Sequence, residues 1–316
     1  MICVGVVGAK PAAAWGPRGH HEICVAATRL VKEPVLRDFL AGRGHTMGHL
    51  CNVPDISWRD IESARKDGDP SHYLNPDKIG KKSATMPSSF REVEEAKLAD
   101  GTRVGHTAGS LWWRADQFFR LAVMAGKQAA AGTPPKDYAQ NQDFSLPYNS
   151  GVFGMMTAMG LMGHYVGDAS MPLHNHSDYD GKAAGHPGIH AFFEDAAVST
   201  FPLTLVEDLR SRASSAKHDY RKGSVVERMR QISVHAEAEI PSMLKADVMT
   251  PKRATAEKAA PLFKPLILRE MADSAAQLAA FWDEIFVQSG RPNLSGYRAY
   301  RYPLVPEFVP PDYLKN

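Results

Sequence analysis

The chain is predicted to fold as an all-α protein. Apolar residues recur at helical spacing over long segments, alternating strand patterns are scarce, and no Gly-rich nucleotide loop follows a strand. With 316 residues and 44% hydrophobic content it can bury one sizeable core. A formal net charge of +2 argues neither for nor against a nucleic-acid or anionic-membrane partner. No repeat of solenoid period is present.

Residues 1–14, MICVGVVGAKPAAA, carry an apolar stretch ending in three alanines. That ending has the small residues of a signal-peptide cleavage site, although the basic leading region is nearly absent. Export to the periplasm or the exterior is the expectation, with Trp15 as the mature N-terminus; a frayed tail is the plainer alternative. Beyond it, Ile23, Ala27, Leu30 and Val31 form an apolar stripe at i, i+4, i+7 and i+8, with His20 one turn earlier on the same face.

Leu111 to Gly126 and Ala254 to Val287 give further long helical signals. Gly151 to Val166 is uncharged but too short to span a bilayer, and reads as a buried helix carrying a methionine-rich core stripe. Loops are expected at Gly42–Asn52, Gly68–Ser89, Gly132–Pro147 and Asn175–Gly188. After Gly290 the composition turns to Pro, Tyr and Arg, which excludes a helix and predicts an extended arm over 291–316 packed on a domain of residues 15–290. Transient membrane contact through the arm's tyrosines is the sharper alternative.

Cys24 and Cys51 remain once Cys3 leaves with the leader. An exported pair can form a disulfide, and two buried thiols are nearly as good a reading. No C-x-x-C spacing makes them metal ligands.

Two His-x-x-x-acid pairs stand out: His164 with Asp168, and His190 with Glu194. Residues four apart share one helical face and can reach one ion. Pro172 should break the helix before His174. Either pair alone is weak in a chain with 13 histidines and 35 acidic residues. Imidazole and carboxylate together suit zinc.

The ordered set Trp15, His20, Asp55, His72, His164, Asp168, His174, His190 and Glu194 resembles the zinc-dependent phospholipase C family and the S-one/P-one single-strand nucleases that share its fold. Trp15-Gly-Pro-Arg-Gly-His20 looks like the start of the nucleases. Ser71-His72-Tyr73-Leu74-Asn75-Pro76-Asp77 resembles the second histidine motif of the phospholipases, and His164-Tyr-Val-Gly-Asp168-Ala-Ser-Met-Pro-Leu-His174 matches a motif common to both. The pair His190 and Glu194 is similar to the phospholipases.

The resemblance implies three Zn2+ per chain. One takes Asp55, His72, His164 and Asp168, and a second takes His174, His190 and Glu194. The third takes His20, a bridging Asp168, and the amino and carbonyl groups of Trp15. An α-amino group has a pKa near ~8, low enough for zinc to displace its proton near neutrality. His21, His45, His49, His106, His176, His186, His218 and His235 lie off the pattern and read as surface or structural residues. Of these, His49 and His176 flank ligands and are placed to orient them.

The implied activity is hydrolysis of a phosphodiester by a metal-bound hydroxide, with Asp55 orienting or deprotonating the water. Arg59 is the candidate for stabilising the transition state, against a solvated helix surface as the alternative. A phospholipid substrate is favoured. The alternatives are a single-strand endonuclease/3'-nucleotidase acting on RNA and DNA, and a non-catalytic zinc-binding protein. Arg18, Ile56 and Asp69 stand where choline-selective phospholipases carry an acid and aromatics, so phosphatidylcholine is disfavoured. Arg18, Tyr73 and Asn75 are the candidate substrate-binding residues, with Tyr73 as plain packing the alternative. No stable protein partner is implied.

Overall fold

The computed structural model describes residues 15–97, 101, 105–214, 222–299 and 305–314; the predicted leader lies outside them. The all-α prediction holds. Among the described residues the elements are helices and short turns, with one isolated bridge between Leu74 and Gly109. The helices are α1 (Gly16–Thr28), α2 (Pro34–Ala41), α3 (Gly44–Ile56), α4 (Glu62–Gly68), α5 (Phe90–Glu95), α6 (Leu111–Ala131), α7 (Tyr138–Asn141) and α8 (Pro147–Ser170). Three-residue helices α9 (Ile189–Ala191) and α10 (Ala197–Ser199) follow, then α11 (Leu205–Ala213), α12 (Val225–Ala238), α13 (Ile240–Val248) and α14 (Ala256–Gln288).

The organising element is α8. From Met155 to Ser170 it is buried on every side, because α1, α3, α6, α12 and α14 all pack on it. Its apolar sequence removes any solvent-facing stripe, as expected of a helix at the centre of a bundle. It ends at Ser170, just before Pro172, as the sequence predicts. Among the described residues no helix is long and apolar enough to cross a membrane.

Two predicted loops are corrected, and the smaller change is that Gly132–Pro147 carries the one-turn helix α7 at Tyr138–Asn141. Gly42–Asn52 is not a loop but the greater part of α3. Glycine lowers helix propensity by about 1 kcal/mol relative to alanine, and packing outweighs that here. Met47, Leu50, Cys51 and Val53 are buried, and Cys51 is joined to Cys24 of α1 by a disulfide. The pair left open by the sequence is therefore bonded. Gly163 of α8 makes room for it, since a Cβ there would lie 2.3 Å from the Cys24 sulfur.

Among the described residues, the arm beyond Gly290 contains no helix and lies on the domain, as expected. Its main chain serves as a row of acceptors. Trp58 Nε1 donates to the Pro306 carbonyl at 3.0 Å, Gln117 Nε2 to Pro310 at 2.8 Å, and Arg120 Nη2 to Asp312 at 2.9 Å. Arg114 is fully buried and divides its guanidinium between Gln117 Oε1, the Val309 carbonyl and the Tyr165 hydroxyl. Burying an arginine is tolerable only when its donors are satisfied. Deleting residues 306–316 removes these acceptors, and the expected loss is roughly 2–4 kcal/mol. Thermal unfolding of the truncated chain checks this, with a midpoint unchanged from wild type as the contrary result.

Candidate metal centre

Eight of the nine predicted ligands bring their side chains together at one end of α8, all of them buried there. Asp168 and His164 come from the last turns of α8, His20 from α1, and Asp55 from the end of α3 just after Pro54. His72 ends a short turn at Asp69–His72, and His174 lies in the turn Pro172–Asn175. His190 sits in α9, which runs into a π-turn over Phe192–Ala196 carrying Glu194. Such turns often mark functional sites.

Two groups form. In the first, His72 Nδ1 lies 3.1 Å from Asp168 Oδ2 and 3.6 Å from Asp55 Oδ1, and His164 Nε2 lies 2.9 Å from His72 Nδ1. His20 Nε2 adds to it, 3.3 Å from Asp168 Oδ1. In the second, His174 Nε2 lies 3.1 Å from His190 Nε2, which is 2.7 Å from Glu194 Oε2.

Main-chain carbonyls fix how three of these rings point. His164 Nδ1 donates to Cys51 O at 2.8 Å, His190 Nδ1 to Tyr179 O at 2.7 Å, and His174 Nδ1 to His72 O. A carbonyl only accepts, so each Nδ1 carries the proton and each Nε2 presents a lone pair inward. Facing lone pairs repel unless a proton or a cation lies between them. The carboxylates bear on which: both oxygens of Asp55, Oδ1 of Asp168 and Oε2 of Glu194 are buried without a hydrogen bond, with ion-pair contacts from Arg59 Nη1 to Asp55 Oδ1 at 3.1 Å and from His190 Nε2 to Glu194 Oε2 at 2.7 Å. Buried polar atoms are normally satisfied, and cations would satisfy these oxygens and the facing nitrogens together, which a proton between two rings would not. The donor set of imidazole and carboxylate fits zinc.

Burial pushes the Asp55 carboxyl up to about 6 and Glu194 to about 7, and raises Asp168 well above the usual range. It drives His72, His164 and His174 well below theirs. At His190 burial acts downward too, but the Glu194 carboxylate outweighs it and the net shift is up. Except at His190, each direction is the one burial without a counter-ion dictates, and a bound cation would favour the charged carboxylates instead.

Trp15 is fully buried beside the first group. Its indole Nε1 donates to Gly167 O at 2.8 Å and Ser170 Oγ at 3.0 Å, and its ring packs 5.6 Å from Phe193. Its φ of 44° is left-handed, which a non-glycine residue adopts only where the surroundings impose it. Gly167 is needed opposite, because a Cβ there would lie 2.8 Å from His20 Nδ1.

A cavity of about 320 Å³ opens on the centre, lined by Arg59, Asp69, His72, Tyr73, Asn75, His174, Ser177, Tyr179 and His190. The sequence-predicted Arg59, Tyr73 and Asn75 are therefore at its wall. Arg59 Nη1 reaches Asp55 Oδ1 at 3.1 Å, while Asn75 Nδ2 donates to Thr107 O at 3.0 Å. Arg18 is elsewhere and is corrected: its guanidinium donates to the carbonyls of Val198, Ser199 and Pro202, tying α1 to α10 and the turn that follows it. Tyr179 and Ser177 escaped the sequence reading; only their place between His174 and His190 pointed to them. Ser177 donates to Asp77, and the nearby Ser71 and Ser170 donate to the carbonyls of Gly68 and Gly167.

No family model matches the chain. It is similar to a probable serine protease of Bradyrhizobium tropiciagri, 25% identical over 257 residues that cover 61% of this chain and 33% of the relative. The chain thus spans about a third of that relative's length. This comparison overturns the phosphodiesterase expected from the sequence, in its phospholipase and nuclease forms alike, because the relative bears the name of a protease.

Two outcomes follow from the geometry. Carboxyls near about 6 and about 7 must shed their protons to bind a cation. Zinc affinity should therefore rise, with proton release, as the pH climbs through about 6 and about 7, and a pH-independent calorimetric titration contradicts this. Gly167→Ala should displace the His20 ring at a cost of about 1–3 kcal/mol and weaken metal retention. Unchanged stability and metal content would count against the close fit.

Proposed function

We propose that the chain is a metal-dependent hydrolase whose buried centre holds zinc and activates water. The carrying observation is the convergence of inward-facing Nε2 lone pairs on carboxylate oxygens that accept no hydrogen bond. Asp55, His72, His164 and Asp168 would hold one ion, and His174, His190 and Glu194 another. His20, Asp168 and the Trp15 main chain would hold a third, once Trp15 is the mature N-terminus. Bound zinc supplies Lewis acidity and eases ionisation of water near neutrality.

The chain's own groups supply the rest. Asp55, with both oxygens otherwise without a hydrogen bond, is placed to accept the proton of the attacking water. Arg59, 3.1 Å from Asp55 and on the cavity wall, places positive charge where negative charge develops on the substrate. Tyr73 and Tyr179 give the cavity aromatic walls.

The relative's name supports hydrolysis as the class of reaction. It does not bring a serine mechanism with it, because Ser177, the serine on the cavity wall, gives its hydroxyl to Asp77. We also propose shared ancestry with the phospholipase C and S-one/P-one fold, without its substrate, since one fold hosts many activities. The order of the ligands along the chain and their convergence support that ancestry. The Cys24–Cys51 disulfide supports export to an oxidising compartment.

The test is hydrolysis of a panel of amide and ester substrates by the mature chain. Chelation should abolish turnover and zinc restore it, while a serine-directed organophosphate leaves it intact. Inactivation by the organophosphate with indifference to chelation overturns the reading. Elemental analysis should find three zincs in the mature protein and two fewer in Asp168→Asn. Loss of a single ion would remove the bridging role.

A further inference from the structure

His21 and His45 are outside the buried centre and play no part in it. His21 follows the ligand His20 by one residue on α1, so it points about 100° away around the helix. There it meets α3. Its ring lies against that of His45, with centroids 5.3 Å apart and planes at 27°. His21 Nε2 and His45 Nδ1 are 3.3 Å apart, and both side chains reach solvent.

Gly48 makes the approach possible. A Cβ at that position would stand 2.4 Å from His21 Cδ2, so any other residue there would push the ring off α3.

We propose that His21 and His45 form a separate transition-metal site bridging α1 and α3. The nitrogen separation matches the buried centre, where His164 Nε2 and His72 Nδ1 are 2.9 Å apart and His174 Nε2 and His190 Nε2 are 3.1 Å apart. Two nitrogens each ~2.0–2.1 Å from a tetrahedral ion are themselves about 3.3 Å apart. Glu22 Oε1 lies 3.8 Å from His21 Nδ1, the nitrogen turned away from the ion, where it can orient the ring but not coordinate, and His49 is one turn beyond His45 on the same face of α3. Solvent completes the coordination, since the site is partly open. Neutral imidazoles select zinc, nickel or copper over magnesium and calcium. The ion would join the same two helices that the Cys24–Cys51 disulfide joins and that carry His20 and Asp55.

The experiment titrates Ni2+ calorimetrically into the full chain after its tightly held metal has been restored with zinc and the excess removed. The wild type should take up one further equivalent, and His21→Ala and His45→Ala should each lose it or weaken it at least tenfold. Elemental analysis of the tightly held zinc should give the same count in all three proteins. Superimposable titrations overturn the site, and so does wild-type binding weaker than about 1 mM, the range of incidental coordination. A fall in tightly held zinc in either variant also overturns it, because the ion counted then belongs to the buried centre. The comparison is a difference between variants, so it holds however many ions that centre contains.

Discussion

His164, His174 and His190 give their Nδ1 protons to main-chain carbonyls, and the rest of the centre follows from where their Nε2 lone pairs then point. A ring free to rotate could turn its lone pair to water. These rings are held by Cys51 O, His72 O and Tyr179 O on three different segments, so no single local movement frees all three. The carboxylates of Asp55, Asp168 and Glu194 are brought in by backbone that has no freedom to withdraw them. Such a pocket is costly to fold around nothing, since burial opposes the charge on every acid in it. The cost is local, and on the reading proposed above a cation would offset the charge and complete those oxygens together.

The scaffold keeps that arrangement rigid by close approach. Along α8, residues without a Cβ face the disulfide at Gly163 and the His20 ring at Gly167. Each lets a neighbouring element come within reach of the helix that carries His164 and Asp168. The arm acts from the other side. It satisfies Arg114, whose guanidinium approaches the Tyr165 hydroxyl, and Tyr165 packs 5.5 Å from the His72 ring. The extended C-terminal segment is thus coupled through one buried arginine to the wall behind a ligand, which explains why a sequence so rich in proline is held against the domain at all.

Much of this was legible in the sequence, for reasons that differ by element. Helices α1, α6, α8 and α14 show their apolar periodicity or apolar length directly. Helix α3 does not: its glycines and histidines look like a loop, and only the partners that bury Met47, Leu50 and Cys51 make it helical. The ligands could be read as an ordered set because ion-binding side chains are few in kind and fixed in spacing. Arg18 could not be placed, since its acceptors are carbonyls about 180 residues away whose position no local pattern reveals. Tyr179 escaped for a similar reason, as its carbonyl and its ring meet His190 across eleven residues in a loop with no local pattern.

Substrate was the least legible property, and the physics of the site explains why. Groups that hold a cation and activate water are the same whether the bond attacked is an amide or an ester, so the proposed ligand set would constrain the reaction and leave the bond open. Discrimination belongs to the cavity wall instead. There Arg59, Tyr73, Asn75, Ser177 and Tyr179 present one guanidinium, two phenols, an amide and a hydroxyl. Asn75 and Ser177 already bond to Thr107 and Asp77, which holds the wall in place and limits what they can offer a ligand. Charge and aromatic surface are therefore the main means of selection left. On the reading proposed above, that wall would favour a substrate with a polarised group near Arg59, whose charge Asp55 and Asp69 share, and a flat or apolar group against Tyr73 or Tyr179.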